Sequence, residues 1–570
     1  MTPRSLLVVA CLGLVGCLGT HSARMQAPEE NDHREWDVRT IGDVTDVGAQ
    51  PEIPVFGFGL VVGLDGTGGG SPPRTEIRDY IENELKKRGH RNVHSVLEDP
   101  NNTIVILEGR IPANCRKGEA IDIRVSLPPQ SKCTSLKGGY LLSAELFNWE
   151  NSRNISTRVP EQILKGHPLV KAEGPIMTSL QGMVRSADEG EGSDDPYRNE
   201  DASLKEGSVW GGGKVQIDPP LTLLLRSNVQ SSRLAGLIAE RINATFPGVR
   251  YGPDGLAAAK NKAVVVLGVP LHYRHDLEHY LRVVRAIPLD RMPNSQTSYH
   301  RQLAEQLLDP TKCLSAAIRL EALGEDSVPL LKPALNAPLP ISRFAAARSL
   351  TYLRKRDGVD ELARLVRQVP ALRGYCLTAM ASLDESICQT RLTDLMNDPN
   401  PEVRYGAFRA LQRLDERNPE IAGEKYKDAF VIHTVAPDSP PMIHYLTARK
   451  AEIVIFGSAA KLLPGLRILF GDEFSVTTGD DGTATVKRFS RKEKRVVQRQ
   501  CGAEVTQVCK AITELGGTYS DAVDLLSKAD AHQKLSAELH HDALPRLIDL
   551  SQIARAAKDD PTLLSLLRPE

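Results

Sequence analysis

The residues whose types and spacing come closest to a reaction are His275, Asp276, Leu277, Glu278 and His279, two histidines four apart with a glutamate beside the second. On one helix both imidazoles would share a face. With His272 one turn further back, the pattern is that of the inverted zinc proteases, whose chemistry is metal-assisted hydrolysis. The pattern is short and needs a third protein ligand held in a polar cleft. Leu277, Tyr280, Leu281 and Val284 instead describe the apolar side of an ordinary surface helix. His275 and His279 are therefore read as solvated side chains, kept only as candidate metal ligands; zinc-dependent hydrolysis is the last-ranked alternative, and no metal is expected. His540 and His541 are adjacent and share no helical face. A second chemistry, phosphate binding, is suggested by the glycines in VFGFGLVVGLDGTGGG, residues 55–70. No Lys followed by Ser or Thr closes that loop, and three residues separate Gly59 from Gly63 where a dinucleotide fingerprint has two. Neither a Gly-x-Ser-x-Gly elbow nor a cysteine beside an activating base occurs. The expectation is a protein that is no enzyme and carries no cofactor.

Charge narrows the partners. Lys plus Arg number 71 against 72 Asp plus Glu, a net charge of -1, so no global field draws nucleic acid or an anionic membrane to the whole chain. The local basic run Lys487, Arg488, Arg491, Lys492, Lys494, Arg495 and Arg499, interrupted by the single acid Glu493, reads as a solvated helix or strand face. The alternative is a dock for an acidic protein surface or an anionic wall polymer. Nucleic acid is not an expected partner, on grounds of compartment rather than charge.

The compartment is read from the first residues. Arg4 precedes the apolar run Leu6 to Gly16, long enough for a signal-peptide core and too short to span a bilayer. Leu14, Val15, Gly16 and Cys17 look like a bacterial lipobox, which makes residues 1–16 a signal peptide, Cys17 a lipidation site anchored in a membrane, and 17–34 a tether. An ordinary cleaved signal with an incidental cysteine is the alternative. Leu18, with no acid after the cysteine, favours the outer membrane by resemblance to lipoprotein sorting. Seven further cysteines would then lie in an oxidising compartment. Their pairing stays open: Cys115 and Cys133 flank a strand that holds them apart unless its flanks fold back, and Cys501 and Cys509, if helical, lie about 12 Å apart along the axis.

At 570 residues the chain should hold about three or four structural units. From Trp36 to Leu289 the pattern is mixed. Thr103 to Leu107, Ile121 to Val125, Leu221 to Leu225 and Ala263 to Leu267 read as strands, and Glu76 to Arg88 and Ser231 to Phe246 as amphipathic helices. In the glycine run, Phe58, Leu60 and Val62 fall on one face of a strand and Gly57, Gly59, Val61 and Gly63 on the other, a nearly flat face suited to close backbone approach. Ser186 to Asp201 is an acidic loop. From about His300 to Glu416 the character changes: Ala316, Ala346, Cys376 and Ala407 recur at steps of 30, 30 and 31, in phase with Leu320, Leu350, Met380 and Leu411 and with Leu323, Leu353, Leu383 and Leu414. Leu335, Leu365 and Leu395 mark a partner helix in each unit. Such stacked helical hairpins resemble HEAT repeats, and Asp398 to Arg404 is a typical start to one. Beyond them, Ala451 to Phe456, Phe474 to Thr478 and Thr483 to Phe489 read as strands, the last two joined by the turn Gly479 to Gly482, and Ala503 to Leu515 and Ser520 to Ala529 as helices.

Three ordered segments resemble the bacterial flagellar P-ring protein family: the run Gly57, Gly59, Leu60 to Leu64, Gly66, Thr67 and Gly68; the segment Ser135 to Leu142; and Ala172, Glu173, Gly174, Pro175. Leu221 to Leu225 with the helix after it is similar to the family's middle region. The C-terminal helices, with Gly516 and Gly517 at their turn and Ala537, Glu538, Leu539 after them, are similar to its last segment. The resemblance thus brackets the repeats. It implies an α+β fold: a P-ring-type mixed α/β body, 35–295 and 419–540, interrupted by a HEAT-like array at 296–418 and followed by a helical tail at 541–570. By resemblance the function is a structural subunit of the basal-body P ring, a periplasmic homo-oligomer acting as a bushing around the flagellar rod beside the L-ring, with peptidoglycan as a further contact. A lipobox departs from the plain signal of that family. The runner-up is a lipid-anchored envelope scaffold whose repeats bind an unidentified protein. Gly57, Gly59, Gly63, Gly66, Gly68, Gly138 and Gly139 are the candidates for close packing within or between subunits.

Overall fold

The computed structural model describes residues 38–559 except 49–51, 71–75, 90–91, 114, 130, 149–166, 179–203, 219–220, 250–254, 291–295, 428, 472, 491–494 and 546. The signal segment, Cys17, the acidic loop at Ser186 to Asp201, and Arg491, Lys492 and Lys494 of the basic run lie outside the described residues. The chain is α+β throughout. A short helix α1 (Ile41–Val44) leads into β1 (Thr45–Val47). Six strands then close a barrel: β2 (Ile53–Val62), β3 (Thr103–Ile111), β4 (Ala120–Ser126), β5 (Tyr140–Leu146), β6 (Val170–Pro175) and β7 (Glu206–Val215), in the order β2-β3-β4-β7-β6-β5. Helices α2 (Glu76–Lys87) and α3 (Val93–Glu98) cover its outer wall, where Ile81, Leu85, Val93 and Leu97 pack with Leu60 and Ile104. Strands β8 (Leu221–Leu225), β9 (Ala257–Asn261) and β10 (Val264–Leu267) join β1 in a second sheet, ordered β1-β8-β10-β9. Against it lies α4 (Ser232–Thr245), whose N-cap Ser231 accepts a hydrogen bond from Leu234 N.

After α5 (Leu277–Ala286) come eight helices: α6 (Gln296–Gln306), α7 (Cys313–Leu323), α8 (Val328–Ala334), α9 (Pro340–Tyr352), α10 (Val359–Gln368), α11 (Arg373–Ser382), α12 (Ser386–Leu395) and α13 (Pro401–Leu414). Helices α7, α9, α11 and α13 pack in succession as one layer, with α8, α10 and α12 beside them in a second. Ala316, Ala346, Cys376 and Ala407 and, one turn on, Leu320, Leu350, Met380 and Leu411 are all fully buried. The step of about 30 therefore marks the positions where successive helices of one layer touch. Asn400 caps α13, its side-chain oxygen accepting from Glu402 N and Val403 N, with Pro401 at the first helical position.

The C-terminal body has two sheets. One holds β11 (Gly423–Tyr426), β12 (Phe430–Val435), β13 (Met442–Tyr445), β14 (Glu452–Phe456) and a last strand, β19 (Glu538–His541), ordered β11-β12-β14-β13-β19. The other is an antiparallel meander of β15 (Arg467–Phe470), β16 (Phe474–Thr478), β17 (Thr483–Ser490) and β18 (Arg495–Gly502). Helices α14 (Val505–Glu514) and α15 (Tyr519–Ala531) serve both: Val505, Cys509, Tyr519 and Leu526 join the core of the five-stranded sheet, and Val508, Ile512, Leu525 and Ala529 that of the meander. The last described element is α16 (Leu550–Asp559), with Leu550 and Ile553 buried in the core that runs through the array.

Candidate functional site

The glycine-alternating face of β2 looks into the barrel. A β-carbon on Gly57 would lie 2.6 Å from Glu145 O, and one on Gly59 2.7 Å from Leu141 Cδ1 and 3.1 Å from Leu107 Cδ1. A six-stranded barrel has little interior, and these glycines leave room for the side chains that cross it from β5 and β3. Gly109 and Gly213 do the same against Ile123, at 2.9 and 2.7 Å, a role the run Gly211, Gly212, Gly213 could have signalled. The opposite face carries Phe58, edge-on to Tyr80 of α2 with ring centroids 5.7 Å apart.

Past the strand the glycines split by role. Gly63 and Gly66, at φ 80° and 85°, have open space where a side chain would be and are needed for backbone direction; so is Gly138, at φ 76°. Gly68 and Gly139 are needed for space: a β-carbon would lie 2.6 Å from Asn102 O in the first and 2.6 Å from Val61 Cγ1 in the second. The turn is tied down by Gly66 N donating to Asn101 Oδ1 (2.9 Å) and by the Thr67 hydroxyl, within 2.7 Å of Leu64 O and 2.8 Å of Ser135 O. The three short segments separated in sequence by up to a hundred residues meet here, since Val61 pairs with Leu141 and Leu141 with Gly174.

This junction faces the C-terminal body. Gly138, Gly139 and Pro175 on one side and Gly516, Gly517 and Tyr519 on the other line a cavity of about 200 Å³. Around it, Lys137 Nζ lies 3.2 Å from Asp521 Oδ1 and donates to Gly471 O at 3.1 Å, and Arg488 Nη2 lies 3.4 Å from Asp65 Oδ2. Trp210 of β7 meets Tyr519 edge-on at 5.9 Å. The portions before and after the array are thus in direct contact. Arg488 also bonds Glu473 and Leu515 O, so the basic run is no single solvated face: this member is spent inside the seam while Lys487 is exposed.

The histidine pattern is differently built from its sequence reading. His275 precedes α5 and is exposed; Asp276 is the N-cap, so the two histidines do not share a helical face. His279 is buried rather than solvated, with Nε2 2.9 and 3.0 Å from the two oxygens of Glu321 on α7. Burial would raise the Asp276 carboxyl, but Arg348 and His279 beside it, with the Tyr352 hydroxyl, outweigh this and hold it at about 2. The network joins α5 to α7 and α9. Among the described residues no three His, Cys, Asp or Glu side chains are grouped to hold a metal. The seven described cysteines are unpaired; Cys501 is on β18 and Cys509 on α14, so the assumption of one shared helix fails, and burial pushes the Cys115 and Cys509 thiols up to about 12.

Barrel, seam and buried networks define an α+β protein whose motif residues work by packing and backbone direction. The family model "Flagellar P-ring protein" matches residues 40–155, which hold β2 to β5 and two of the three resembling segments. Over 255 residues the chain is 28% identical to the flagellar P-ring protein of Oleidesulfovibrio alaskensis, covering 44% of this chain and 60% of that one. It is 26% identical to that of an Anaeromyxobacter species over 347 residues (58% and 81%), and 28% identical to flagellar P-ring protein 1 of Cereibacter sphaeroides over 223 residues (38% and 53%). The resemblance read from the sequence is therefore borne out, over part of each relative's length.

Proposed function

We propose that this protein is a structural subunit of the flagellar P ring, assembling with copies of itself around the rod in the periplasm. The observation that carries the proposal is the match over β2 to β5 of the barrel together with the seam: the segments bracketing the array fold against one another, as a single subunit body requires. Ring closure needs a heterologous interface in which one patch of each copy meets a different patch of the next. The left-handed turn at Gly63 and Gly66, unobstructed on its own subunit, is our candidate for one such patch. Contacts to rod, L-ring and peptidoglycan, and an outer-membrane anchor at Cys17, belong to the same proposal. Immunogold labelling tests it: signal concentrated at flagellar bases, with rings in negative stain, is expected, and an even distribution over the envelope would sink it.

The runner-up, an envelope scaffold that binds a partner through its helices, draws support from the continuous two-layer array at 296–418. It predicts a monomer or small oligomer by light scattering and no rings.

A further inference from the structure

The C-terminal tail leaves the body at β19 and crosses the array. Ala543 N donates to His444 Nε2 at 3.0 Å, Pro545 and Leu547 cross α13 and α11, the Tyr375 hydroxyl donates to Ile548 O at 2.8 Å, and α16 buries Leu550 and Ile553. The crossing point is built for them. A β-carbon on Gly374 would lie 2.6 Å from Leu547 Cδ2, and one on Gly406 would lie 2.7 Å from Leu377 Cδ1 of α11 and 3.1 Å from Pro545 Cγ and Cδ, so Gly406 serves the packing of the array as well as the tail. Gly406 stands inside a 14-residue helix, where glycine costs about 1 kcal/mol relative to alanine. The array thus has a slot for a Pro-x-Leu segment followed by an amphipathic helix.

We propose that this slot is an exchangeable docking site, and that in the assembled protein it receives the Pro545–Leu547 segment and α16 of a neighbouring copy. The inference rests on the ring reading and names one contact between its neighbours. Three observations favour this occupant. The hinge between β19 and the slot is only Asp542 to Leu544, with Asp542 at φ 46°, where its carboxylate accepts from Thr447; a hinge this short favours exchange of the segment it carries. The grip on the Pro-x-Leu part is limited, with Leu547 62% exposed, while α16 beyond it buries Leu550 and Ile553. An exchanged tail remakes every contact of the chain's own, so only association opposes it.

The test mixes two full-length variants of different tag length, Gly374→Cys and Leu547→Cys, under mild oxidation. A disulfide-linked dimer containing one of each is expected on a non-reducing gel, and a weaker band when Tyr375→Phe removes the hydrogen bond to Ile548 O. If Gly374→Cys does not fold, Tyr375→Cys reports from the neighbouring position. A link formed only within one chain, in a variant carrying both cysteines, overturns the proposal; so does no link in either sample. Negative stain of the same samples separates this from the ring reading: rings without mixed dimers remove the exchange and leave the ring, and mixed dimers without rings do the reverse.

Discussion

The helical array is joined to the chain on either side of it by buried polar networks, whereas the barrel meets the C-terminal body across a glycine-lined seam with two ion pairs. At the first junction Asp276, Arg348, Tyr352, His279 and Glu321 lie together between α5, α7 and α9. At the second, Tyr405 of α13 stacks on His444 of β13 with centroids 3.5 Å apart, while Glu452 takes His433 at 3.5 Å and Arg409 at 3.7 Å. Across the seam, Lys137 is 25% exposed against Asp521 at 3%, and Arg488 20% against Asp65 at 44%. Charges buried together in a network cannot separate without being stranded there; each seam pair also strands its more buried member when broken, but as one isolated pair with a partner that water reaches. The array is consequently held to the sheet and helix that flank it by clustered networks, and the barrel is seated by separate pairs.

The sharpest way to break this contrast is Asp276→Ala. It leaves Arg348 buried without its carboxylate and uncaps α5, and should cost about 3–5 kcal/mol in urea unfolding. A loss under about 1 kcal/mol would erase the distinction between junction and seam.

Acid should attack the junctions next. Asp276 and Glu452, each held at about 2, favour the folded protein above their ordinary range and lose that contribution as pH falls toward 2. For Glu452 burial opposes the charge, and the His433 hydrogen bond with Arg409 and Lys450 outweighs it. Burial lowers His444 to about 3, so the unfolded chain takes up its proton first and stability declines as pH falls from about 6.5 to about 3. The slope is about 1.4 kcal/mol per pH unit over most of that window. Unfolding midpoints between pH 7 and 5 should therefore fall in the wild type and fall less in His444→Gln; equal slopes would place His444 in water.

What could be read from the residues follows from how local each cause is. The array was legible because burial repeats about every 30 residues, and the flat face of β2 because alternation alone assigns its sides. The barrel was not: closure depends on pairings such as Leu146 with Val170 that no local period records. The same holds for His279, whose partner lies 42 residues on in another helix. Sequence spacing put it beside His275, and helix capping by Asp276 separated them.

The seam should respond more gently. Gly139→Ala forces a β-carbon against Val61 and Leu64 and should cost about 1–3 kcal/mol in thermal or urea unfolding. Lys137→Ala leaves Asp521 buried with its Thr518 hydrogen bonds but without its cation, and should cost about 1–3 kcal/mol, less than the loss at Asp276. A larger loss would mean that the seam is as rigid as the junctions are.

Gly63 gives the smallest effect on stability and the most direct reading of assembly. Its φ of 80° penalises alanine by about 1–2 kcal/mol, and asparagine, which tolerates that region, by less. Among the described residues, apart from its two chain neighbours, no atom lies within 4 Å of the β-carbon it lacks. Gly63→Asn should accordingly unfold close to wild type, so any loss of oligomer by light scattering would have to come from a side chain meeting another copy. Unchanged assembly would move the contact away from this turn and leave Gly63 a purely conformational residue, while a large loss of stability would show that the turn is already packed within its own subunit.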